Sequence, residues 1–269
     1  MDDPKRIGAV TQLGVDETSF LRANRAHATI YATGLVDLRA KVLIDMVEGN
    51  TAADLRRWTK NADPKWIAGI KVVATDLAES FRAGLSPKLD HAIRVADPFH
   101  VVRVGNRCRD KVRRRVQNET LGHRGHKDDP LYRIRKLLLT GDERLDDRGR
   151  NRLLLGLRVG DPHDEVLGAW LAKESVREVY LTDDAKAAAI LLDKAIAGCT
   201  ADVVEEIRSL GHTLSSWRTE ILAHHSTGAS NGPTEAAIIR SGLRACGRRH
   251  PRPYGVRCGP GGGRVLCSA

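Results

Sequence analysis

Two apolar runs of strand length, KVVAT and IRVA, each stop at an aspartate, Asp76 and Asp97, with little between them but the helix-like stretch LAESFRAGL and the break at Pro87. Aspartate is disfavoured inside strands, and a buried carboxylate is costly unless it is paired or bound to metal. An aspartate ending an apolar strand therefore needs a reason. A third lies earlier, Asp16 in LGVDE. Taken singly, each reads as a strand-end cap or turn residue. Three in one sheet, joined by an acid that opens a late helix (Glu235 in SNGPTEAA), make a stronger case for a site.

The elements around these acids follow from periodicity. TQLGVDETSF, HATIYATGLVD and KVLIDMV read as three strands between residues 11 and 47. GNTAADLRRWTK starts a helix, with Thr51 and Asp54 at capping-box spacing. WIAGIKVVAT reads as a fourth strand, LAESFRAGL as a helix and HAIRVA as a fifth strand. From Val101 to about His225 the apolar spacing is helical, through LYRIRKLLL, RGRNRLLLGL, EVLGAWLAKESVREVYL, DDAKAAAILLDKAI and VVEEIRSLGHTLSSWRTEILAHH. SNGPTEAAII then opens another helix, with Ser230 or Asn231 able to cap it and Pro233 suited to its first turn. The expected organisation is a five-stranded core over residues 1–100, a helical insertion over 101–228, a return helix over 229–243, and a disordered basic tail over 244–269.

Carboxylates converging from strand ends and a helix are what Mg²⁺ requires, since the ion prefers oxygen ligands and leaves positions open for water and phosphate. Two such ions, with Mn²⁺ as a substitute, can activate a nucleophile and stabilise a leaving 3′ oxygen. The chain carries a formal net charge of +10 in 269 residues, which favours an anionic partner, nucleic acid being the commonest. Strand order is more informative than any single acid. Three strands with an acid on the first, a helix, a fourth strand with an acid, a helix and a fifth strand form an RNase H-like α/β arrangement, a mixed sheet here followed by a long helical insertion. In that topology the second acid ends the fourth strand, which selects Asp76, sixty residues after Asp16. Asp97 remains the alternative.

The segments LGVDETSF, VVATDLAESFRAGL, HAIRVADPFHVVRVGNRCRDKVRRRV and SNGPTEAA resemble the bacterial insertion-sequence DDE transposases of the ISL-three type, over roughly residues 10–240. The resemblance implies an RNase H-like catalytic domain and Mg²⁺-dependent cleavage and joining of transposon ends. It implies double-stranded DNA, as ends and as target, for a partner, and it allows a homodimer. The family's three acids fall on Asp16, on Asp76 or Asp97, and on Glu235, as catalytic residues and metal ligands. With Asp76 as the middle acid, Asp97 and His100 become auxiliary groups near the site. Two other readings stay open, a DNA-binding remnant without catalysis and an unrelated Mg²⁺-dependent phosphohydrolase.

Two departures from the family pattern bear on activity. Full-length members carry an N-terminal zinc-binding and helix-turn-helix region, and this sequence begins just before the first strand. After Glu235, residues 236–269 hold seven Arg, seven Gly, three Pro and three Cys but no Asp, Glu or Lys. That bias reads as frame disruption more readily than as a phosphate-binding tail, so a truncated, frame-shifted and poorly active copy is expected. Arg103, Arg107, Lys111 and Arg114 fall at steps of four, four and three opposite the valines of the same helix. Such a stripe can track a phosphate backbone without reading its sequence. The histidine pairs His123/His126 and His224/His225 lack cysteine partners and do not signal zinc, and none of the five cysteines forms a C-x-x-C pair. No run approaches the length of a membrane span and MDDPKRIGAV is not a signal peptide, so no membrane partner and a cytoplasmic location are expected.

Overall fold

The computed structural model of the chain describes residues 8–21, 23 and 28–240; the tail expected to be disordered lies outside them. The chain divides into two compact units, one made of residues 1–97 with 227–269 and the other of residues 98–226.

The first unit is built on a five-stranded mixed sheet. Its strands are β1 (Gln12–Leu21), β2 (Ile30–Asp37), β3 (Val42–Glu48), β4 (Val72–Thr75) and β5 (Ile93–Ala96), in the spatial order β3-β2-β1-β4-β5. β1 runs antiparallel to β2, and β2 to β3, whereas β1–β4 and β4–β5 are parallel. Three helices connect β3 to β5: α1 (Ala52–Asn61), α2 (Pro64–Gly69) and α3 (Glu79–Leu85). At the start of α1 the Thr51 hydroxyl accepts the Asp54 amide and the Asp54 carboxylate accepts the Thr51 amide, a complete capping box. The reading of WIAGIKVVAT as one strand is corrected. Asp63 accepts the Lys65 amide and Pro64 occupies the first helical turn, so α2 forms and the strand begins only at Val72.

Alternation along β1 sends Leu13 and Val15 to one face of the sheet and Gly14 and Asp16 to the other. The first face is the apolar core, where Leu13, Val15, Leu35 and Val73 meet Leu55 and Trp58 of α1, Ile67 of α2, and Phe81 and Leu85 of α3. Each such side chain, fully buried, contributes roughly 1.5–3 kcal/mol. The opposite face receives the helix that follows the second unit, over Gly232–Arg240.

The second unit is helical: α4 (Pro98–Leu121), α5 (Pro130–Arg133), α6 (Asp147–Gly160), α7 (Glu165–Glu178), α8 (Ala185–Thr200), α9 (Glu205–Ser216) and α10 (Arg218–Thr227, its last residue in the first unit). The chain then returns to the sheet as α11 (Gly232–Arg240). α4 buries Val101, Gly105, Cys108, Val112 and Val116 along one stripe. At Gly105 the backbone approaches α7 closely, and a Cβ there would stand 3.4 Å from the Lys173 Cα. LYRIRKLLL, read as one helix, is instead the four residues of α5 and a 3-10 turn over Leu137–Leu139. The single helix expected over 203–225 breaks at Trp217 into α9 and α10. Among the described residues no helix is long and apolar enough to cross a membrane.

Candidate active site

The parallel registers align the strand-end acids. Val15 of β1 pairs with Thr75 of β4, and Thr75 pairs with Ala96 of β5. One step further along each chain, Asp16, Asp76 and Asp97 stand level on three neighbouring strands. The ladder continues at that step, since the Asp97 amide donates to the Thr75 carbonyl at 3.0 Å. Alternation places all three on the face that bears Gly14, opposite the apolar core. Asp16 and Asp97 are almost fully buried, at 6% and 3% exposure, and Asp76 is half-buried.

That face is covered by α11, and two glycines let it approach. A Cβ on Gly14 would lie 2.0 Å from the Thr234 hydroxyl and 2.9 Å from the Asn231 side-chain carbonyl; one on Gly34 would lie 2.5 Å from the Ile238 methyl. Gly34 pairs with Asp16 across β1 and β2. Thr234 therefore sits over β1 and Ile238 over β2, one helical turn apart, and Glu235 follows Thr234 in the same helix. The Glu235 side chain lies outside the described residues.

Asn231, just before α11, ties the helix to the sheet. Its backbone amide donates to Asp97 Oδ1 at 2.7 Å and its Nδ2 donates to the Val15 carbonyl at 2.9 Å. Its Oδ1 accepts the Thr234 hydroxyl at 2.6 Å. Asn231 and Thr234 are both buried. Asn231 was legible as a helix-start residue, but its role across the sheet was not, because its partners lie 134 and 216 residues away. Gly14 carried the signal that sequence reasoning missed, since glycine inside a strand marks a close approach by another backbone or side chain.

Chemically, this face presents hard oxygen donors of the kind a divalent cation takes. Among the described residues, no group of three or more His, Cys, Asp or Glu side chains converges as a metal cluster. The expected ligand set of Asp16, Asp76 and Glu235 is thus represented there by two neighbouring carboxylates and by the backbone position of the third acid.

The second unit holds the remaining candidates. Arg103, Arg107, Lys111 and Arg114 are all exposed on α4. They are not equivalent. Arg114 is paired with Asp110 at 2.7 Å, and Lys111 is close enough to Glu206 of α9 to help hold that carboxyl below its usual value, after the larger effect of Arg115. Arg103 and Arg107 form no ion pair among the described residues. Arg107 and Lys111 also line a cleft of about 740 Å³ between α4 and α9, whose other wall carries Glu205 and Glu206. Arg115 bridges Glu206 at 2.8 Å and Glu165 of α7 at 2.5 Å. His100 lies in the first turn of α4, its ring edge-on to Phe99 at 5.3 Å. His123 and His126 stack at 4.0 Å beside Asp129, and His224 and His225 gather around Tyr180.

Comparison with known proteins adds the family. Residues 13–241 match the family model of ISL-three type DDE proteins described as "Transposase", which spans the acid-bearing strands, the helical unit and α11. The chain belongs to this transposase family. Over 114 residues it is 30% identical to the "Transposase for insertion sequence element IS1557" of Mycobacterium tuberculosis, in strain CDC 1551 / Oshkosh and in strain ATCC 25618 / H37Rv. Those segments cover 42% of this chain and 24% of each relative, so the match spans about a quarter of the relatives' length. No solved structure matches. Family membership removes the reading as an unrelated phosphohydrolase.

Proposed function

We propose that this chain is the RNase H-like catalytic part of an insertion-sequence transposase, and that it cleaves and transfers DNA strands at the element's ends with Mg²⁺. The observation that carries this reading is the level placement of Asp16 and Asp76 on adjacent strands, beneath a helix that carries Glu235. Asp16, Asp76 and Glu235 would hold the metal. When bound, two ions supply an activated attacking oxygen and compensate the charge of the leaving 3′ oxygen. The protein's own part is to hold the carboxylates at fixed spacing on a rigid sheet, with α11 packed on the same face. The α4 basic face, Arg103 and Arg107 foremost, would hold the phosphate backbone through charge without reading bases.

Calorimetry with Mn²⁺ on the wild type, Asp16→Ala and Asp76→Ala, beside Mg²⁺-dependent cleavage of DNA carrying the element's ends, tests the assignment. Both variants are expected to lose metal binding and cleavage together. Retained Mn²⁺ affinity in Asp76→Ala would remove it from the ligand set. Metal-independent DNA binding without cleavage by the wild type would leave the non-catalytic remnant as the better description.

A further inference from the structure

We infer that Asp97 is a positioning residue, whose carboxylate clasps the start of α11 to the end of β5 and so sets where Glu235 stands over the sheet. This rests on the transposase reading above for its functional consequence, though not for its geometry. Three ties meet at Asn231. Its amide is held by Asp97 from β5, its Nδ2 holds Val15 of β1, and its Oδ1 takes the hydroxyl of Thr234 one turn into the helix. The first two fix the helix start against two different strands. The third fixes the Asn231 side chain itself, so that its bond to Val15 cannot swing away.

The opposing surface is shaped for this. Gly14 leaves no Cβ where Thr234 and Asn231 sit, so the helix seats directly on the β1 backbone. The Asp97–amide bond is charge-assisted, buried at 3% exposure, and directed at a backbone N–H beside the first turn of a helix, where amides lack intrahelical partners. Glu235 lies four residues beyond Asn231, about 6 Å along the helix axis at 1.5 Å per residue. A helix start that slips by about 1 Å carries Glu235 with it, and such a displacement of a catalytic group costs on the order of a hundredfold in rate. The alternative role for Asp97, direct metal ligation, makes a different demand. A ligand needs the negative charge, whereas a clasp needs only an acceptor oxygen at that position.

The pair Asp97→Asn and Asp97→Ala separates these roles. Asparagine keeps an acceptor and loses the charge; alanine loses both. The first readout is amide hydrogen exchange at Asn231 and through the first turn of α11 in the metal-free protein. Asp97→Ala should speed exchange there about ten- to a hundredfold, the range spanned by removal of a charge-assisted hydrogen bond, and Asp97→Asn should restore most of the protection. The second readout is Mn²⁺ binding and strand cleavage, which Asp97→Asn should retain to a far greater degree than Asp97→Ala or Asp76→Ala. Loss of Mn²⁺ binding in Asp97→Asn as severe as in Asp76→Ala, with Asn231 still protected, would make Asp97 a ligand and overturn the clasp. Unchanged protection in Asp97→Ala would overturn it as well. Should Asp97→Ala fail to fold, Asp97→Asn alone still decides between charge and acceptor. The exchange measurement needs neither metal nor activity. A wild type that binds no Mn²⁺ and cleaves nothing would therefore defeat the transposase reading while leaving the clasp to be judged on Asn231.

Discussion

His225 stacks on Tyr180 with ring centroids 5.8 Å apart and planes 14° apart, and His224 lies 5.4 Å to one side. Its Nε2 is buried and meets no hydrogen-bond partner among the described residues. Burial, then the neighbouring His224, hold its pKa below the usual 6.5, against a weaker opposite pull from Asp183. The unfolded chain therefore takes up this proton first as pH falls. Stability attributable to His225 is present above about 6.5 and declines as pH drops from there toward the lower folded value. The urea midpoint is expected to fall between about pH 7.5 and 5.5, and to fall less in His225→Phe, which keeps a ring on Tyr180 but cannot be protonated. Equal falls in the two proteins would show that the acid sensitivity lies elsewhere.

At the scale of elements, Lys173 shows how a helix ends where its sequence pattern does not. The segment after α5 gives way to a 3-10 turn, and α7 reaches it with a fully buried lysine. Lys173 Nζ donates to the carbonyls of Leu138 and Thr140, both at 2.9 Å, and is ion-paired with Glu174. Burial lowers its pKa, with Glu174 opposing. Lys173→Met keeps much of the volume but strips two buried carbonyls and one carboxylate of a donor. It should destabilise the protein by about 2–4 kcal/mol, measured by denaturant unfolding. A neutral or stabilising result would mean that the turn is held by its apolar residues alone. The same element shows what sequence could not supply. β1 to β3, α1 and β5 were legible because alternation, a capping box and breaks at Gly and Pro are local signals. α2 was missed although Asp63-Pro64 announced it, because the apolar run beyond it looked continuous. The turn at 137–139 had no local signal, since its partner is thirty-five residues away on another helix. The candidate site divides the same way. Strand order alone brought Asp16 and Asp76 together, whereas the bond between Asp97 and Asn231 joins residues no window of sequence contains.

Over the whole molecule the net charge of +10 favours a polyanion such as the DNA of the proposed function, but the distribution of that charge decides which residues would feel it. α4 offers four cations in a row by sequence, and the fold sorts them into two pairs. Arg103 and Arg107 are exposed without an ion pair among the described residues, although Arg107 lines the same acid-walled cleft as Lys111. Lys111 faces Glu206 across a cleft with acids on its wall, and Arg114 is already bound to Asp110. A phosphate that approaches the first pair releases counterions without breaking anything. One that approaches the second must compete with a carboxylate, and an exposed ion pair of this kind is worth at most about 1 kcal/mol, enough to weaken phosphate binding but not to forbid it. The Arg103→Gln/Arg107→Gln double variant should therefore flatten the salt dependence of non-specific duplex binding, by up to about 0.9 in log–log slope for each phosphate that is no longer neutralised. Lys111→Gln/Arg114→Gln should change it less, although it removes the same formal charge. Fluorescence anisotropy with one duplex over a salt series reads both slopes. If the two double variants flatten the slope equally, the attraction follows net charge alone and the arrangement on α4 is immaterial. If neither changes it, this face of α4 does not meet DNA, and the duplex is held by another part of the protein.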